Sequence, residues 1–108
     1  MKFWSYYEKV GTEVNYDIDR IDNIVTLKLY IPGVKKKDIE VSYDDKLLRV
    51  KYRSLKTPES AENEILDFPA SSFGPDFVIC DSQAAYEDGI LYVDLRSKEQ
   101  QFKIVKVY

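Results

Sequence analysis

The chain has 108 residues, a formal net charge of −3 and a composition that is 44% hydrophobic and 14% aromatic; this fits one domain with enough apolar surface for its own core. A net negative charge argues against nucleic acid, which rewards clustered Lys and Arg, and no apolar run approaches the ~20 residues of a membrane-spanning helix. The chain contains no histidine, which removes Ser-His-Asp and Cys-His catalysis and the usual zinc ligand sets.

Residues 1–12 hold Phe3, Trp4, Tyr6 and Tyr7 without a clean period, and Gly11 closes this short aromatic arm. No apolar signal-peptide core follows Met1, so the expected location is the cytoplasm. Val14, Tyr16 and Ile18 then alternate with Asn15, Asp17 and Asp19, the two-residue period of a half-exposed strand. Asp22-Asn23 turns the chain. Val25, Leu27, Leu29 and Ile31 share the next inward face, with Thr26 and Lys28 opposite, until Pro32-Gly33 stops the strand. The run Lys35-Lys36-Lys37 reads as a solvated turn. Ile39, Val41 and Tyr43 alternate again, Asp44-Asp45 turns, and Leu48, Val50 and Tyr52 face inward while Arg49, Lys51 and Arg53 face out.

From Ser54 to Glu64 the chain is polar and acidic, contains Pro58 and is predicted as a long loop. Ile65 to Phe68 reads as a short strand inside or after it. A strand is expected over Phe77 to Cys80, with Cys80 as a small buried hydrophobe; a single cysteine excludes an intrachain disulfide and fits a reducing interior. After Gln83 to Glu87, Asp88-Gly89 is a tight-turn pair, and Leu91, Val93 and Leu95 alternate with Tyr92 and Asp94. Ser97 to Gln101 is a polar hinge before the tail Phe102 to Tyr108.

Short strands separated by turn residues, with no helical period, indicate an all-β antiparallel sandwich. Its core should include Val25, Leu27, Leu29, Leu48, Val50, Leu91, Val93 and Leu95. The layout is an arm over 1–12, a sandwich over 13–96, and a hinge and tail over 97–108. Carboxylates are plentiful, but Asp17 with Asp19, Glu40 with Asp44, and Glu87-Asp88 all fall on solvent faces or turns. The acidic groups lack the calcium-loop pattern, and there is no phosphate loop, dinucleotide fingerprint or nucleophile elbow. No catalytic residue, metal site or cofactor is expected, and the chain is not expected to be an enzyme.

Two passages are more specific. Ala84-Ala85-Tyr86-Glu87-Asp88-Gly89-Ile90-Leu91 resembles the Ala-x-x-x-Asn-Gly-Ile-Leu signature of the small heat-shock proteins, the α-crystallin family of ATP-independent chaperones, with aspartate serving the turn. Leu29 to Val41 is similar to that family's passage of Leu-x-x-Pro-Gly-Val, basic residues and Asp-Ile. The resemblance implies an immunoglobulin-like sandwich of the α-crystallin type that forms a dimer or larger homo-oligomer. The strand of Val14, Tyr16 and Ile18 would pair with the 55–70 loop of a second copy; the alternative is a plain surface loop. Val105 and Val107 would form a docking tail that enters a neighbour's groove at Ile39, Val41, Tyr43 and Ala85, or else a last strand packed on its own domain. Phe3, Trp4, Tyr6 and Tyr7 would contact clients. Two features depart from the family pattern: the Phe77 strand has no arginine and no Leu-Pro after it, and the connection from Cys80 to Ala84 is short. The inter-subunit contact of such an arginine is therefore in doubt. The implied function is a holdase for partly unfolded proteins, with no nucleic-acid or membrane partner. The alternative is a non-chaperone interaction module, either a CS-domain-like co-chaperone or a structural subunit of an assembly.

Overall fold

The computed structural model describes residues 2–3, 14–57, 60–98 and 105–108, and side chains within 14–54, 63–98 and 105–108. Its strands are β1 (Lys2–Phe3), β2 (Tyr16–Ile21), β3 (Ile24–Tyr30), β4 (Ile39–Tyr43), β5 (Leu47–Thr57), β6 (Ser60–Pro69), β7 (Ile79–Glu87) and β8 (Ile90–Ser97). Every pairing is antiparallel, in a five-stranded sheet of order β1-β2-β3-β8-β7 and a three-stranded sheet of order β4-β5-β6. The helical elements among the described residues are two single 3-10 turns, Lys36–Asp38 and Ala70–Ser72.

Directly opposed residues of an antiparallel pair point to the same face, so the register shows how the core is made. Val25, Leu27 and Leu29 oppose Leu95, Val93 and Leu91. On the facing sheet Leu48 and Val50 oppose Phe68 and Leu66. All eight core residues expected from alternation are buried, none more than 2% exposed. The sheets are further joined by an edge-to-face contact of Tyr16 with Phe68, ring centroids 5.3 Å apart.

Turn chemistry sets the reversals. Asp88 and Gly89 both adopt positive φ, 52° and 79°. This left-handed pair gives a two-residue hairpin whose twist matches its strands. The Asp44 carboxylate accepts the backbone N–H groups of Lys46 and Leu47, each at 2.8 Å, and so closes the β4–β5 reversal.

Two expectations are corrected. Residues 54–57 and 60–64 are not loop but strand, because β5 and β6 extend through them and pair, with Arg53 opposite Asn63 and Ser54 opposite Glu62. The third strand, β4, pairs only with the stretch from Leu48 to Tyr52. Beyond it lies a two-stranded ribbon, where pairing persists without a three-stranded face to bury; hydrophobic alternation reports burial, so it vanishes there while the strands go on. The stretches around Phe77–Cys80 and Gln83–Glu87 are not two strands but lie along one, β7, which begins at Ile79. Ile79 and Asp81 pair with the adjacent residues Ser97 and Arg96, leaving Cys80 as the extra residue of a bulge. Cys80 is consequently exposed rather than buried, its thiol donating to the Arg96 carbonyl at 3.4 Å.

Candidate functional site

β4 and β7 are the outer strands of the two sheets, and they flank the same open side of the sandwich. Each therefore leaves one row of backbone donors and acceptors without a strand partner among the described residues. Ile39, Val41 and Tyr43 oppose the buried Tyr52, Val50 and Leu48, so they face inward. Ile39 and Val41 are only partly covered, and Tyr43 is 44% exposed. Across from them Ser82, Ala84 and Tyr86 oppose Leu95, Val93 and Leu91 and also face inward. The small side chain of Ala84 leaves the strip open. These residues outline a candidate groove between two strand edges.

The register corrects one groove residue. Ala85 opposes Tyr92 on the outer face, and Ala84 takes the inner position. Alternation counted from Ile79 puts Ala85 inward; the bulge at Cys80 inserts one residue and reverses the parity. Sequence alternation does not single out Ser82, which faces inward on the same strand; its Oγ is buried and has no hydrogen-bond partner among the described residues.

The ends of the groove are fixed. Ile79 N–H donates to the Asp45 carbonyl at 3.0 Å, holding β7 to the β4–β5 turn. At the other end the two sequence passages meet: the Tyr86 hydroxyl donates to the Ile31 carbonyl at 3.0 Å, fifty-five residues away in sequence. Ile31 N–H in turn donates to the Gly89 carbonyl at 2.9 Å. Gly89 lies so close to Pro32 that an added Cβ would sit 3.1 Å from the proline Cα.

The other expected residues divide. Val14 and Tyr16 are buried and Ile18 packs against the same core, so these side chains serve their own sandwich. At the end of β2, Ile21 is 73% exposed. Val105 and Val107 are 80% and 90% exposed, in no strand. The other described residues leave them uncovered, and one chain does not bring tail and groove together. Phe3 is described as backbone only, opposite Tyr16 in β1; Trp4, Tyr6 and Tyr7 lie outside the described residues.

Glu64, at the end of the predicted loop, is 1% exposed and lies opposite Tyr52 on the inner face. Burial first, and then the Glu64 charge, push the Tyr52 hydroxyl up to about 12. The signal lies in the parity of Glu64, which it shares with the buried Leu66 and Phe68. On the outer face Arg49 makes a bidentate pair with Asp67, at 2.7 and 3.0 Å. Among the described residues no group of His, Cys, Asp or Glu is arranged to hold a metal, and no helix is long and apolar enough to cross a membrane.

Comparison with known proteins agrees with this architecture. The family model for the Hsp20/alpha crystallin family matches residues 17–107. Small heat shock protein C2 of Rickettsia felis is 28% identical over 111 aligned positions, covering 92% of this chain and 72% of that protein. Among solved structures, heat shock protein 16.0 from Schizosaccharomyces pombe superposes with a TM-score of 0.61 at 20% identity, covering 88% of this chain and 97% of that one. The hspA protein from Xanthomonas axonopodis gives 0.60 at 17% identity, covering 79% and 93%.

Proposed function

The chain belongs to the Hsp20/alpha crystallin family, and from that membership we propose that it is an ATP-independent holdase of the stress response, binding partly unfolded proteins in the cytoplasm and limiting their aggregation. The observation that carries this reading is the apolar groove between two unpaired strand edges, with Ile39, Val41 and Tyr43 on one side and Ala84 on the other. Unfolding proteins expose apolar segments and strand edges, the features that drive aggregation. A groove of this kind takes up an extended segment by β-augmentation, backbone pairing along the edge and alternate side chains filling the strip.

In the resting assembly the occupant is the tail of a neighbouring copy. Val105 and Val107 are two residues apart, so an extended tail presents both to one side and Lys106 to the other. Burying two valines contributes roughly 3–6 kcal/mol before ordering costs, and ordering the tail removes part of it. The contact is weak and exchangeable, as a chaperone that must open requires. The backbone edges of β2 and of a partner's β6 form the dimer, and the aromatic arm adds client contacts.

The double change Val105→Ala and Val107→Ala should shrink the oligomer in sedimentation while the sandwich keeps its melting temperature. The intact chain should suppress light scattering of a heat-stressed client. A full-size assembly that leaves scattering unchanged would favour the interaction-module reading. A lowered melting temperature with no change in assembly size would make the tail an internal strand.

A further inference from the structure

We propose that the amino-terminal strand β1 is a built-in competitor for the dimerisation edge of β2, so that the arm is released only when a second copy takes its place. The inference rests on the reading above in which the β2 edge receives a partner strand. One side of β2 is paired along its whole length with β3, from Tyr16 opposite Leu29 to Ile21 opposite Ile24. Among the described residues the other side is occupied at two positions, where Lys2 opposes Asp17 and Phe3 opposes Tyr16. Among the described residues, no strand lies beside that edge from Ile18 to Ile21.

One row of backbone N–H and C=O groups can pair with only one strand at a time. A partner strand lying along all of β2 must therefore evict β1 from Tyr16 and Asp17. The competition is unequal. A two-residue strand is far shorter than the usual five or six, whereas β6 spans ten residues, pairs with β5 on one side and ends its sheet on the other. A partner's β6 has the length to cover the whole edge; β1 covers its start. In a lone chain β1 shields part of an edge that would otherwise recruit strands indiscriminately. On dimerisation the strand that contains Phe3 is displaced, which couples assembly to release of the aromatic arm.

The test locks β1 in place. Opposed Cα atoms of an antiparallel pair lie about 4.5–5.5 Å apart, inside the range a disulfide spans. In a Cys80→Ala background, Lys2→Cys with Asp17→Cys places the bond on the outer face, since Asp17 opposes Lys28 there. Sedimentation should show at least a tenfold weaker dimer for the oxidised protein than for the same protein reduced. As a second variant, removal of residues 1–3 should tighten the dimer. An oxidised protein that dimerises as well as the reduced one overturns the competition and leaves the dimer edge standing. Failure of the disulfide to form overturns it as well, because β1 would not lie on β2. An unmodified chain that stays monomeric at every concentration overturns the dimer edge and, with it, the competition.

Discussion

Replacing Gly89 by alanine probes the corner where the two sequence passages meet, and Gly33 supplies an internal control. Both glycines adopt left-handed backbone, with φ of 79° and 84°. Alanine in that region costs about 1–2 kcal/mol at either site. The sites differ in what a new Cβ meets. At Gly33 there is no atom within 4 Å, whereas at Gly89 the Cβ would lie 3.1 Å from the Pro32 Cα and 3.2 Å from its Cβ. Pro32 is backbone and ring, and its neighbour Ile31 is held by hydrogen bonds to Gly89 and Tyr86. Relief requires moving that corner, and overpacking of this kind costs roughly 1–3 kcal/mol. Gly89→Ala should therefore be less stable than Gly33→Ala by about that amount, read from denaturant midpoints at unchanged m. Thermal midpoints should separate by about 4–8 °C per kcal/mol. Asparagine sharpens the comparison because it tolerates left-handed backbone: Gly33→Asn should be nearly silent and Gly89→Asn should still be costly. Equal losses at the two positions would refute the close approach as a determinant of stability.

Two further outcomes follow from the register and from burial. Ala84→Glu puts a carboxylate into the groove and should disperse the oligomer with little change in melting temperature, whereas Ala85→Glu, on the outer face, should leave assembly intact; sedimentation of both variants decides which residue lines the groove. Tyr52 has a folded pKa raised to about 12 from 10.0, so the folded state keeps its proton where the unfolded chain loses it. The stability from the neutral phenol is complete below about pH 10 and is lost as pH rises toward about 12. Tyr52→Phe should flatten that alkaline decline in denaturation midpoints, and an unchanged slope would assign the decline to other groups.

Where one face of a strand is buried and the other wet, the sequence was sufficient. Leu91, Val93 and Leu95 lie inward because a one-residue slip would bury Asp94, and their burial agrees with that constraint. The legible turns were those with a conformational requirement, as at Asp88-Gly89. What stayed hidden depends on backbone pairing and on parity. The hairpin beyond Tyr52 pairs without a full layer to bury, so its residues carry no hydrophobic period. Cys80 reads as the apolar end of Phe77-Val78-Ile79, yet it is expelled by a bulge that no side chain announces. That single insertion also exchanged Ala84 for Ala85 at the groove. Neither alanine differs from its neighbour in chemistry, so only the pairing with Val93 and Tyr92 tells them apart.

The groove raises a general difficulty, since unpaired strand edges beside apolar side chains are what aggregating proteins present. Charge on the outer faces limits the risk here. Glu40 lies on the outer face of β4 opposite Lys51, and β7 carries Asp81 and Glu87 on its own outer face. A segment entering the groove meets apolar surface on one side only, and a stack of copies edge to edge would bring these carboxylates together. A single extended segment with alternating apolar and polar residues avoids that conflict, because its apolar side faces the strip and its polar side faces water. Val105-Lys106-Val107 has this pattern, and so do many strands exposed by an unfolding protein. On the proposed function, tail and client compete for one surface. The fraction of grooves open to clients is then set by how firmly two valines hold, so chaperone capacity should rise as tail affinity falls, until the assembly no longer forms.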